Sequence, residues 1–144
     1  MQKNERIFRK NKTIIFSALG VLLLSIVLFG ASKLVTFLNY KRDVQRIQAQ
    51  NIDLNNIPDG EYYGDCNVDF VAARVRVIIE DHRIAVLELL EHINDRGASA
   101  EVLPERMIKE QRIDVDAISG ATASSKVIQE AVYNALTGDR TIRE

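Results

Sequence analysis

Phe70-Val-Ala-Ala-Arg-Val-Arg-Val-Ile-Ile-Glu80, followed by Asp81-His82 and Arg83-Ile-Ala-Val-Leu-Glu-Leu-Leu90, is the stretch that decides the fold. Val71, Ala73, Val75, Val77 and Ile79 recur at every second position, with Arg74, Arg76 and Glu80 on the opposite phase. Alternate side chains of an extended chain lie on opposite faces, so this pattern predicts a half-buried strand. Arg83 to Leu90 predicts a second strand, and the two polar residues between them a hairpin turn. A two-residue turn of this kind takes positive φ, which histidine tolerates better than most side chains. His82 is therefore read as a turn residue on the surface rather than a catalytic group. An antiparallel hairpin flanked by helical segments implies an α+β fold: a small antiparallel sheet with packed helices.

On the N-terminal side, Pro58-Asp59-Gly60 signals a turn, and Glu61-Tyr62-Tyr63-Gly64 reads as a first strand with one tyrosine facing inward. Tyr62 and Tyr63 also invite a stacking role against a flat ligand. On the C-terminal side, Glu91 to Gly97 is a polar connector, and His92 has no second ligand at a metal-binding spacing. Ser99 to Gln111 predicts a helix starting near Leu103 with Pro104 in its first turn. Ile113-Asp-Val115 reads as a short strand. Val127, Ile128, Ala131, Val132, Ala135 and Leu136 form the apolar stripe of a last helix, roughly Ser125 to Leu136, which Gly138 ends.

Between these lies Asp116-Ala-Ile-Ser-Gly-Ala-Thr-Ala-Ser-Ser125. Small hydroxylated residues there expose several oxygens with little steric cover, and Gly120 permits backbone conformations closed to other residues. The helix that follows directs its free N–H groups at this loop, a setting that favours a phosphate. An ordinary N-cap built from Ser124 or Ser125 accounts for the same residues.

Asp116-Ala-Ile-Ser119-Gly120-Ala121-Thr122-Ala-Ser124 resembles the flavinylation signature D-x-x-S/T-G-A-T-x-S/T of the FMN-binding domain family. Asp59-Gly60-Glu61-Tyr62-Tyr63-Gly64 resembles the D-G-x-Y-x-G opening of the same domain. The family includes the C subunit of the sodium-translocating NADH:quinone oxidoreductase and the G subunit of Rnf complexes. The resemblance implies that Ser124 receives FMN through a phosphoester bond, placed by a separate flavin transferase that cleaves FAD and uses its own Mg²⁺. It makes Asp116, Ser119, Gly120, Ala121 and Thr122 the recognition loop, with Thr122 and Ser125 near enough to compete as acceptors. It implies an electron-transfer flavoprotein component, with a quinone or dehydrogenase system in the membrane as electron donor. The alternative is a module that binds FMN noncovalently, with no electron relay.

Composition sets the surroundings. Thr13 to Ser32 carries no charge over twenty residues, about 30 Å as a helix, enough to cross a bilayer. Lys3, Arg6, Arg9, Lys10 and Lys12 precede it, which places the N-terminus in the cytoplasm and the rest outside the cell membrane. A cleaved signal peptide is the competing reading, but the apolar run is long and no A-x-A site follows it. The expected layout is a basic tail at 1–12, a transmembrane helix at 13–32, a stalk and linker at 33–56, the FMN-binding domain at 57–138 and a tail at 139–144. Residues 41–144 hold thirteen Lys/Arg against nineteen Asp/Glu, so the polar part is acidic and nucleic acid is an unsuitable partner. A lone Cys66 has no resolving partner and reads as a buried strand residue.

Overall fold

The alternation over Val71–Ile79 is realised as β2 (Val71–Glu80), the central strand of a three-stranded antiparallel sheet ordered β1-β2-β3. This computed structural model describes residues 2–48, 50–94 and 96–138, with side chains from Leu19 onward. The tail at 139–144 and the side chains of the basic stretch 3–12 lie outside the described residues. Strand β1 (Gly60–Val68) pairs with β2 so that Gly64 faces Val75, and β3 (Arg83–Ile93) pairs so that Leu87 faces Val77. The β2–β3 register shifts at two places, between Arg74 and Val75 and between Ile78 and Ile79. Each shift leaves one β3 residue without a partner, Leu90 and Ala85, and re-phases the strand so that Ile84, Leu87 and Leu89 all turn to the core. β3 continues to Ile93, so the polar connector expected from Glu91 begins later, and His92 is a strand residue.

The hairpin turn is as the sequence implies: Asp81 and His82 have φ of +50° and +58°. Asp59 holds it, its carboxylate accepting from the N–H groups of Asp81 and His82. Those N–H groups, His82 first, keep the Asp59 carboxyl below its ordinary value. The outward face of the sheet is an ion-pair ladder in which Arg76 bridges Glu61 and Glu88, and Arg74 pairs with Glu91.

The inward face is covered by α3 (Thr122–Thr137), whose buried Val127, Ile128, Ala131, Val132, Ala135 and Leu136 are the predicted stripe. Gly138 ends it with φ +70°. Gly64 is where helix and sheet come closest. A Cβ there would overlap Ala131 O and Ala135 N and lie 2.7 Å from Ala135 Cα. α2 (Leu103–Glu110) opens with Pro104 in its first turn and buries Leu103 and Met107. Its cap, Gln111, is left-handed, and its amide both accepts from Ile84 N and donates to Ile84 O, pairing with the edge of β3 as another strand would. Ile113–Val115 is not a strand. The segment bends at Ile113, where the Val115 N–H donates back to Ile113 O, and carries no ladder; Ile113 and Val115 are buried, and the Val115 carbonyl accepts from Gln129 on α3.

Two compact units divide the chain, Met1–Asn39 and Tyr40–Glu144. α1 (Gln2–Arg46) supplies the first. Among the described residues one helical stretch, Leu19–Arg46, is long and apolar enough to cross a membrane. Leu22, Leu23, Ile26, Val27 and Phe29 are exposed along it, and the Ser25 and Ser32 hydroxyls return hydrogen bonds to Leu22 O and Phe29 O. Polar groups satisfied within the helix suit a setting without water. The second unit begins at Tyr40, whose ring meets Phe70 edge-on with centroids 5.3 Å apart. Residues 44–57, too sparsely apolar to suggest a core face, nonetheless place Ile47 in the core and pack Ile52, Leu54 and Ile57 against it. Lys126 on α3 donates to Val44 O and Ile47 O at the end of α1.

Candidate functional site

The site forms where the irregular segment after α2 turns into α3. Ile118–Ala121 is a turn closed by the Ala121 N–H donating to Ile118 O, with Gly120 third in it at φ +81°. That position requires glycine, and a Cβ would meet nothing within 4 Å, so the requirement is backbone conformation and the space beside it is open. Asp116, Ser119, Gly120 and Thr122 are exposed around this turn, and Ala121 is buried beneath it.

The helix starts earlier than its apolar pattern indicates, at Thr122, which puts Ser124 and Ser125 inside its first turns. Neither serine is the N-cap. The cap is Ala121, which offers no side-chain acceptor. Ser125 N–H donates to Ala121 O, the first helical bond, so the N–H groups of Thr122, Ala123 and Ser124 have no protein acceptor among the described residues. Three converging N–H groups at the positive end of a helix dipole suit a phosphate oxygen.

The two serines differ sharply. Ser125 is fully buried, and its Oγ donates to Ala121 O at 2.9 Å and accepts from Ile118 N at 3.0 Å. This hydroxyl pins the turn to the helix and is occupied by that work. Ser124 Oγ makes no hydrogen bond among the described residues, although Ser124 is only 2% exposed. The open hydroxyl loop expected over Ser119–Ser124 therefore stops at Ala123. Gly97 is what covers Ser124: a Cβ on it would overlap Ser124 Oγ and lie 2.6 Å from Ser124 Cβ. Gly97 N–H in turn donates to Asn94 Oδ1, and Gly97 leads into a 3₁₀ turn, Ala98–Val102.

Residues 71–137 match the family model of the FMN-binding domain, from the first residue of β2 to the last of α3. The folded unit carries an FMN-binding domain. No curated protein matches the chain. The matched part of the FMN-binding domain contains the hairpin, the Gly97 cover, the Ile118–Ala121 turn and both serines, whereas Asp59–Gly64 lies before it.

The remaining candidates lie away from this turn. Tyr62 packs on the core and donates its hydroxyl to Pro58 O; Tyr63 stands 58% exposed and donates to Glu61. Cys66 is buried, and burial, followed by Glu130 and Asp65, pushes its thiol up to about 12, out of reach of thiolate chemistry. Among the described residues no group of three His, Cys, Asp or Glu could hold a metal ion. Gly97, Asn94 and His92 enter the site without any sequence signal beyond a glycine in a polar connector, because only tertiary packing brings them to α3.

Proposed function

We propose that this is a membrane-anchored flavoprotein that carries FMN esterified to Ser124 and passes electrons on the extracytoplasmic side of the cell membrane. The observation that carries this reading is the unbonded Ser124 hydroxyl in the uncapped first turn of α3, within an FMN-binding domain. The attachment would be a phosphoryl transfer. Ser124 Oγ forms a bond to the FMN phosphorus of FAD, the pyrophosphate bond breaks, AMP leaves, and the hydroxyl proton is lost. A flavin transferase with its own Mg²⁺ supplies that catalysis. Asp116, Ser119, Gly120, Ala121 and Thr122 give it an exposed turn to grip, and the Thr122, Ala123 and Ser124 N–H groups stabilise the phosphodiester charge, by about 0.3–1 kcal/mol if exposed.

Once bound, FMN supplies chemistry the side chains lack, accepting one or two electrons. The chain's own part is to hold the phosphate at the helix terminus, to keep Ser125 engaged in the turn, and to retain the cofactor where diffusion would otherwise remove it. The donor would be a membrane quinone or dehydrogenase system, and α1 the anchor in the lipid, with its basic N-terminal side in the cytoplasm.

The burial of Ser124 favours a second reading, noncovalent FMN held at the Ile118–Ala121 turn. Coexpression with a flavin transferase separates the two. Covalent attachment gives a band that stays fluorescent in a denaturing gel, an intact mass raised by one FMN less water, and loss of both in Ser124→Ala. Flavin released on denaturation, with binding intact in Ser124→Ala, supports the noncovalent module instead.

A further inference from the structure

His92 Nε2 is the one buried side-chain nitrogen or oxygen without a hydrogen-bond partner among the described residues. The ring is 3% exposed at the end of β3, and its other nitrogen is crowded: Nδ1 lies 3.0 Å from Glu101 Oε1 and 3.2 Å from Asn94 Nδ2. These two partners make opposite demands. A protonated Nδ1 donates to Glu101 and confronts the Asn94 amide hydrogens, whereas a bare Nδ1 accepts from Asn94 and confronts the carboxylate. Asn94 cannot resolve this by turning over, because its Oδ1 already receives the Gly97 N–H at 3.0 Å. Buried side-chain nitrogens are as a rule hydrogen-bonded. Here one has no protein partner among the described residues and the other can serve one partner well at a time.

Both partners belong to the cover on Ser124. Asn94 fixes Gly97, whose backbone backs onto the Ser124 side chain, and Glu101 lies in the 3₁₀ turn that Gly97 begins. We propose that His92 is a positioning residue for modification of Ser124: through Asn94 and Glu101 it holds Gly97 and Ala98–Val102 over the acceptor oxygen, and release of that hold admits the transferase. The idea rests on the covalent reading above. It explains how an acceptor that is closed in the folded domain becomes reachable without unfolding. In the closed state Nε2 has no protein partner among the described residues and one Nδ1 partner is frustrated, and opening gives both access to solvent. The hold is thus weak by composition, matched to a cover that yields.

Access to position 124 can be measured without any flavin. In Ser124→Cys, the introduced thiol reports opening through its rate with an aromatic disulfide reagent, while native Cys66, buried elsewhere in the core, reports global loosening. The introduced thiol is expected to react far more slowly than a free cysteine. Adding His92→Gln is expected to raise its rate about five- to tenfold, the loss of roughly one hydrogen bond, with the thermal midpoint lowered by only the few degrees that one such bond is worth and Cys66 reactivity raised much less. Glu101→Gln, a change on a half-exposed side chain, is expected to give a smaller rise, and the double variant less than the product of the two. An unchanged rate in His92→Gln overturns the proposal, as does a rise shared equally by Cys66. With Ser124 retained, transferase and FAD are expected to label His92→Gln faster than the parent by a similar factor; equal rates overturn the proposal. Thiol protection without any flavin on the parent chain upholds the hold on position 124 and overturns the flavin reading instead.

Discussion

Two glycines press backbone against α3, one at its first turn and one in its C-terminal half, and what lies opposite them differs. At Gly64 a Cβ would strike peptide groups of Ala131 and Ala135 in mid-helix, which are fixed by the helix's own hydrogen bonds. At Gly97 it would strike one serine side chain, and Gly97 itself rides on a polar segment outside the sheet. The first contact joins two regular elements that cannot give way. The second closes a chemically interesting oxygen beneath something that can. The C-terminal half of α3 is packed against sheet backbone, and its first turn against a segment outside the sheet.

Gly64→Ala should be the most damaging change, at about 3 kcal/mol or more in urea unfolding, because overpacking here meets backbone rather than rotamers. A cost below about 1 kcal/mol would mean that β1 and α3 separate easily, and the contrast would collapse. Next comes the pair of serines. Ser125→Ala strips a part-buried donor, Ile118 N, of its acceptor and should cost about 1–3 kcal/mol. Ser124→Ala removes an unbonded hydroxyl and should change stability by less than about 0.5 kcal/mol, while abolishing covalent flavin. Equal costs for the two would show that the free and the engaged hydroxyl are misassigned.

Gly97→Ala should cost about 1 kcal/mol, less than Gly64→Ala because the cover can shift, and Ser124→Gly in the same chain should recover part of it. Additive costs would place the strain elsewhere. The smallest effect concerns acid. The Asp59 carboxyl is held below 3.8 in the fold, so its contribution is complete above that value and fades as pH falls through the folded one. Asp59→Asn should therefore narrow the gap to the parent in thermal midpoint below about pH 3.8 and leave the widest gap near neutrality. Parallel curves would remove the carboxylate from the hairpin turn.

What was readable from residues alone follows how local each cause is. The alternation of Val71–Ile79, the turn at Asp81-His82 and the stripe on α3 depend on neighbours in sequence, and all three are in the structure. The start of α3 was misjudged because Thr122 and Ala123 carry no apolar pattern, and the turn at Gly120 with the Ser125 hydroxyl begins the helix instead. Ile113–Val115 has strand composition but finds no strand to pair with, only Gln129 across from it. The signature from Asp116 to Ser124 located the site, yet the cover on Ser124 is a contact across 27 residues that no spacing encodes. The stalk expected at 33–56 meets the core for a related reason. Isolated Ile47, Ile52 and Leu54 make no stripe, but each finds the core separately.

The Lys126 ammonium that closes the carbonyls of Val44 and Ile47 has a practical corollary. A water-soluble version cut at Ile57 leaves that ammonium with nothing to clasp and takes the Ile47 side chain out of the interior, two residues along α3 from the serine of interest. A cut at Tyr40 retains both, so the shorter truncation is the one to avoid when material is prepared for spectroscopy.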